Sequence, residues 1–167
     1  MLVFLDTEFT DFVQMDLISV GLVAEDGREF YGERNDYMLE ACSDFVRASV
    51  LPLMHKVPEA RCSAAHLTHR LHQWFASHRE PITVVFDYAS DWELLADALQ
   101  GNGSQPLPQC IEEKWLLQYD VVRDPIFRHA SQAAYGGNWQ PHHALADARA
   151  LRAGYLAWYA DKSKACS

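Results

Sequence analysis

The segment LVFLDTEF (residues 2–9) closes an apolar run with two acids, Asp6 and Glu8, one residue apart. Alternate side chains of a strand share a face, so the two carboxylates project together, roughly 6–7 Å apart at their Cα atoms. Carboxylates at the margin of a core are costly unless they are paired or hold a metal. Two hard oxygen donors at that spacing suit a shared divalent cation. Asp91 fits the same chemistry: SDWELL (90–95) carries the Ser-x-x-Glu pattern of a capping box, which predicts a helix starting at Ser90 with Asp91 in its first turn. HHALAD (142–147) adds His142 and Asp147 at the head of an Ala-, Leu- and Arg-rich stretch. Histidine titrates near neutral pH and suits the work of a general base.

Each of these residues also has an ordinary structural reading. A D-x-E at a strand end arises by chance, and an acid in a first helical turn complements the helix dipole. A histidine ahead of a helix commonly serves a turn. The conjunction of all of them in one chain is what points to a metal-dependent site.

The elements that must position them are legible in part. LVFLDTEF, DLISVGLVAED (16–26) and REFYGER (28–34) read as three consecutive antiparallel strands, with Asp26-Gly27 as a hairpin turn. DYMLEACSDFVRASV (36–50) has helical spacing with Asp36 as its N-cap, and CSAAHLTHRLHQWFASH (62–78) is a helix capped by Ser63, with Leu67, Leu71, Trp74 and Phe75 as its apolar stripe. ITVVF (82–86) is a buried strand. The segment 109–135 is compatible with strand, helix or both, and stays open. PHHALADARALRAGYLAWYA (141–160) predicts a helix with Pro141 at its start, followed by a frayed tail at 161–167. The element order predicts an α/β fold with a mixed sheet covered by helices.

At 167 residues the chain supports one domain, assigned to 1–160. No apolar run approaches the ~20 residues of a membrane span, and the start lacks the pattern of a secretory signal, so a soluble cytoplasmic protein without membrane contact is expected. Cys42, Cys62, Cys110 and Cys166 are scattered without a C-x-x-C pair, consistent with reduced thiols. The formal charge of −9 argues against a protein that coats duplexes through many phosphate contacts. It does not exclude a nucleic-acid enzyme, because bound cations reverse the sign of an acidic cluster.

DTE (6–8), DYASD (87–91) and HHALAD (142–147) together resemble the three motifs of the DEDDh branch of the DnaQ-like 3′-5′ exonucleases, in the family's order and across almost the whole chain. The third-motif spacing matches His142 rather than His143. Many relatives carry Asn four residues before the second-motif acid, where this chain has Asp87; the helix start at Ser90 favours Asp91 as the metal-facing residue. DTEFTDF, DLISVGLVAEDGREFYG and HHALADAR are further similar to the small ribonuclease AS-like exoribonucleases, which act on adenylate-rich RNA.

The resemblance implies a ribonuclease H-like mixed β-sheet flanked by helices and two divalent cations, Mg²⁺ or Mn²⁺, about 4 Å apart. It implies that Asp6 bridges both, that Glu8 and Asp147 complete the first site, and that Asp91 supports the second through water. His142 is then the general base, with Thr7 and Phe9 against the substrate. The implied reaction removes nucleoside 5′-monophosphates from the 3′ end of single-stranded nucleic acid, RNA favoured. A 3′-5′ exodeoxyribonuclease, an internally cutting nuclease and a catalytically silent binding module stay open as alternatives, as does a homodimer. Outside the motifs, His66, His69 and His72 drift around a helix and read as a solvated face rather than a zinc site. Trp92 and Trp139 are weaker candidates for base contact, since tryptophan more often packs.

Overall fold

The computed structural model describes residues 1–101 and 103–165. Six strands form one sheet: β1 (Leu2–Phe9), β2 (Leu17–Ala24), β3 (Glu29–Arg34), β4 (Arg61–Cys62), β5 (Ile82–Phe86) and β6 (Ile111–Leu116), ordered β4-β3-β2-β1-β5-β6. β1, β2 and β3 are antiparallel neighbours, as the Asp26-Gly27 turn predicts, and Gly27 takes the positive φ of 91° that such a turn needs. β5 and β6 run parallel to β1. The helices are α1 (Asp44–Ser49), α2 (Ala64–Ala76), α3 (Ala89–Gln100), α4 (Tyr119–Arg123), α5 (Pro125–Ala134) and α6 (Ala144–Ala165). No helix is long and apolar enough to cross a membrane among the described residues.

The alternation of β1 sorts the layers. Val3 and Leu5 face a core built with Leu67, Leu71 and Phe75 of α2 and Leu95 and Leu99 of α3. Phe4 faces the other way, against Leu151 and Tyr155 of α6 and Phe127 of α5. Asp6 and Glu8 share the parity of Phe4 and so lie on the α6 side, near the start of that helix. β2 is buried along its whole length because helices cover both faces of the sheet.

Several local expectations are corrected. Asp36 does not cap a helix: its carboxylate accepts from Arg34 Nε and from the Ala64 amide, both at 2.9 Å, and joins β3 to α2. Ser43 caps the short α1 instead, accepting from the Val46 amide. Ser90 is not a cap either. α3 begins one residue earlier, Tyr88 occupies the cap position without a side-chain bond, and Ser90 lies buried in the first turn. Asp91 is nevertheless in that first turn, as required. Pro141 precedes the last helix by three residues rather than starting it, because His142 adopts a left-handed φ of 69° before the chain turns helical at Ala144. α6 extends through Ala165, past the expected fraying point at 161; Cys166 and Ser167 lie outside the described residues. The open segment resolves into β6, α4 and α5, the last capped by Asp124 with Pro125 at its first position.

Gly21 of β2 permits the contact that brings α6 to the site. A Cβ there would lie 2.4 Å from the carbonyl carbon and oxygen of Ala144, so only a residue without a side chain lets the helix start lie on the strand. Gly21→Ala is therefore expected to destabilise by about 1–3 kcal/mol, the usual scale of overpacking, or to lift the start of α6 off the sheet. Chemical denaturation reads the first effect and loss of activity the second.

Candidate active site

The site forms at the carboxyl end of β1, where β5 and the start of α6 also end or begin. The pairing of β1 with β2 slips between Glu8 and Phe9, an irregularity of the kind that re-aims side chains beside a site. Two groups of potential ligands result. Glu8, His142 and Asp147 offer ligating atoms within 4.8 Å of one another, and so do Asp6, Asp87 and Asp91. The four acids and the histidine singled out in the sequence are thus brought together from three distant parts of the chain. Asp87, weighed there against Asp91, joins the same cluster.

Each acid is held by identifiable neighbours. Thr7 donates both its amide (3.2 Å) and its hydroxyl (2.7 Å) to Asp91 Oδ1, tying α3 to β1. Thr7 is buried and gives both of these donors to Asp91. Asp147 accepts from the Tyr135 hydroxyl (2.6 Å) on Oδ1 and from the His142 amide (2.8 Å) on Oδ2. The left-handed conformation of His142 aims its amide at Asp147, and the Phe45 ring meets the imidazole edge-on at 5.0 Å. His143 points the opposite way. It is fully buried, stacked on Tyr31 at 4.6 Å and edge-on to Trp139 at 4.9 Å, and burial, helped by Lys56, pushes its pKa down to about 4.

The electrostatics of the cluster call for a cation. Burial first, and then Asp91, Asp147, Glu8 and Asp87, push the Asp6 carboxyl well above the usual carboxylate range. Glu8 rises to about 8 through burial and the charges of Asp147 and Asp91. Asp91 rises to about 7, mainly through burial, although Thr7 pulls it down. Asp6 Oδ2 and Asp91 Oδ2 are buried without a hydrogen-bond partner among the described residues. Buried carboxylate oxygens without a donor, crowded by other acids, fit divalent cations: hard charges that accept oxygen ligands and offset the repulsion.

A stability prediction follows for the metal-free protein. Glu8 and Asp91 have folded-state pKa values of about 8 and about 7, above their ordinary values of 4.5 and 3.8. Their protonated forms therefore favour folding, a contribution complete below the ordinary values and lost as pH rises through the folded ones. In EDTA the melting temperature should fall between about pH 5 and about pH 8.5, and added Mn²⁺ should restore it at the upper end. A scan of melting temperature against pH with and without the cation checks this.

Around the carboxylates lies an aromatic rim. Phe9, half-buried, faces Tyr88 with the rings 6.4 Å apart and nearly parallel, and Phe12 stands edge-on to Phe9 at 5.3 Å. Phe12 and Tyr88 are largely exposed, at 67% and 46%. Phe9 was expected from the sequence; Tyr88, Phe12, Phe45 and Tyr135 were not. Tyr88 could have been suspected from its place between Asp87 and Asp91, whereas Tyr135 carries no local signal. Trp92 and Trp139 pack, Trp92 on Phe86 with Lys114 over its ring and Trp139 against His143 and Arg149. His66 and His69 are exposed, and the His72 ring meets the Leu99 carbonyl at 2.9 Å, so the three do not converge.

The fold has a solved counterpart. The nuclease domain of 3′hExo, a DEDDh family member determined with rAMP bound, superposes with a TM-score of 0.64 over 96% of this chain and 92% of that domain, at 14% sequence identity. The chain has the fold of a DEDDh nuclease domain. No family model matches the sequence. Two relatives from Mycobacterium tuberculosis, from strains CDC 1551 and H37Rv and both named 3′-5′ exoribonucleases, are 48% identical over 50 residues, which is 29% of this chain and 30% of each relative. In this chain the acids of β1, of the start of α3 and of the start of α6 meet at one end of the sheet.

Proposed function

We propose that this protein is a metal-dependent 3′-5′ exonuclease of the DEDDh type that degrades single-stranded RNA from its 3′ end and releases nucleoside 5′-monophosphates. The observation that carries this reading is the pair of side-chain clusters, Glu8 and Asp147 with His142 beside them, and Asp6 with Asp87 and Asp91, at the carboxyl end of β1. The likeness to a DEDDh nuclease domain and the names of the mycobacterial relatives support it. RNA rather than DNA is favoured by those names.

In this reading Asp6, Glu8, Asp91 and Asp147 hold two cations, and all-oxygen ligation suits Mg²⁺ with Mn²⁺ as a substitute. When bound, divalent cations supply Lewis acidity for activating water and stabilising the departing 3′ oxygen. His142 takes the proton from the attacking water on its imidazole nitrogen; the hydrogen bond its backbone N–H donates to Asp147 and the edge contact of Phe45 hold the residue beside the acids. Tyr135 and Thr7 orient Asp147 and Asp91 by hydrogen bonds. Phe9, with Tyr88 and Phe12 beside it, provides a stacking surface for a base, which suits a chain of charge −9 that grips few phosphates.

End-labelled RNA and DNA of the same sequence, single-stranded or as blunt duplexes, test the reading at two salt concentrations. Single-stranded RNA should shorten from the 3′ end with Mn²⁺ and stop with EDTA, with a shallow salt dependence because few counterions are released. Blunt ends should react much more slowly, since unstacking a terminal base costs a few kcal/mol. Equal rates on RNA and DNA would remove the ribonuclease preference and keep the exonuclease. Binding without shortening would replace the enzyme by a silent binding module.

A further inference from the structure

The geometry points to Asp87 as a direct ligand of the cation shared by Asp6 and Asp91, so that this chain closes its second cation site with three carboxylates. The inference deepens the proposed metal-dependent reading and rests on it for its catalytic meaning. Asp87 is the first residue after β5, and β5 runs parallel to β1, so the carboxyl ends of both strands deliver an acid to the same place. The chain then turns through Tyr88 into α3, whose first turn returns Asp91 to the same point.

Carboxylate oxygens of Asp6, Asp87 and Asp91 all lie within 4.8 Å of one another. Around an octahedral Mg²⁺ with bonds of about 2.1 Å, oxygens stand about 3.0 Å apart in cis and about 4.2 Å apart in trans, so side-chain rotations that draw these oxygens together by roughly 1–2 Å bring all three into one coordination sphere. A cluster of acids does not by itself make a site, and Asp91 supplies the independent sign. It is only 2% exposed, its Oδ1 is taken by Thr7, its Oδ2 is buried with no partner among the described residues, and the residue belongs to this group. A buried charged oxygen left without a donor is costly unless a cation meets it. The partnerless Asp6 Oδ2 adds a second oxygen in the same condition.

The neutral isostere Asn shows what the charge of Asp87 contributes. Asn would offer one neutral carbonyl oxygen, and its amide nitrogen would turn hydrogens toward Asp6 or Asp91. Asp offers a full charge and no donor. Cation affinity rises with the number of charged ligands in a site. With three carboxylates the second cation is retained by the protein itself, without waiting for the phosphate of a nucleic acid to complete its shell.

The test is Mn²⁺ binding to the nucleic-acid-free protein, read as unbound Mn²⁺ by electron paramagnetic resonance and as heat by titration calorimetry. The native protein should bind two ions. Asp87→Asn, which keeps shape and removes charge, should weaken one of the two sites by about tenfold or more, at least the loss that disturbing an outer-shell partner causes. Asp97→Asn, on an exposed position further along α3, should leave both sites unchanged and so controls for a general loss of negative charge. Melting curves of each variant in EDTA establish that it is folded. The Mn²⁺ concentration giving half-maximal RNA shortening should rise in parallel for Asp87→Asn. Native affinity at both sites in folded Asp87→Asn overturns the assignment even if the protein is an active exonuclease. Weakened binding in a protein that shortens no nucleic acid upholds the ligand and discards the exonuclease instead.

Discussion

Asp6→Asn is expected to reduce exonuclease turnover by about 10³-fold or more while leaving a folded protein. Asp6 belongs to one of the two ligand groups and feels the charge of Asp147 and Glu8 from the other. Its carboxylate is thus the charge that both halves of the site share. A metal site contributes several kcal/mol to a transition state of this kind, and each 1.36 kcal/mol is a tenfold change in rate, which sets the size of the loss. The same substitution should stabilise the metal-free protein above neutral pH, where the crowded acids repel one another, and flatten the fall of its melting temperature with pH. Opposite changes in activity and stability separate this from a folding defect. Turnover within a few-fold of native would remove Asp6 from the mechanism.

His142→Ala should lower turnover by roughly 10²–10⁴, the range for loss of a general base, while Mn²⁺ binding to the carboxylates changes far less. The backbone amide that holds Asp147 survives the substitution, so the loss reports on the imidazole. The residue that follows makes the contrast. His143→Ala empties a fully buried position between Tyr31 and Trp139, and the structure therefore assigns it a stability cost that its sequence position does not suggest. Its effect on turnover of the folded fraction should be smaller than that of His142→Ala. Single-turnover rates at saturating Mn²⁺, with melting temperatures for both variants, check the pair; a larger catalytic loss in His143→Ala would shift the third motif by one residue.

The sheet and the identity of the main acids were legible because both depend on short-range rules. Strand alternation is enough to place Asp6 and Glu8 on one face, and a hairpin signal at Asp26-Gly27 is enough to pair β2 with β3. Capping was less legible. Asp36 and Ser90 have the right chemistry for a helix cap, but Asp36 is drawn to Arg34 and the Ala64 amide, and Ser90 is buried once the Thr7–Asp91 tether sets where α3 begins. Such competition is decided by tertiary neighbours and leaves no mark in the local pattern. The 109–135 region stayed open for a related reason: β6 is an edge strand and largely exposed, so it lacks the buried alternation by which a strand is recognised.

By themselves, the order and spacing of D-x-E, Asp91 and H-x-x-x-x-D marked out the acids and the histidine and carried the resemblance that implies the chemistry, because residue type and separation along a strand or a helix start are properties of the local chain. Only the tertiary structure decided how the site is closed. Gly21 admits the start of α6 onto β2, Tyr135 reaches Asp147 across twelve residues, Phe45 comes from α1 to the edge of His142, and Asp87 enters from the strand beside β1. These contacts join residues far apart in sequence through the packing of helices on the sheet. Their geometry exists only once that packing is complete, and no short stretch of the chain encodes it.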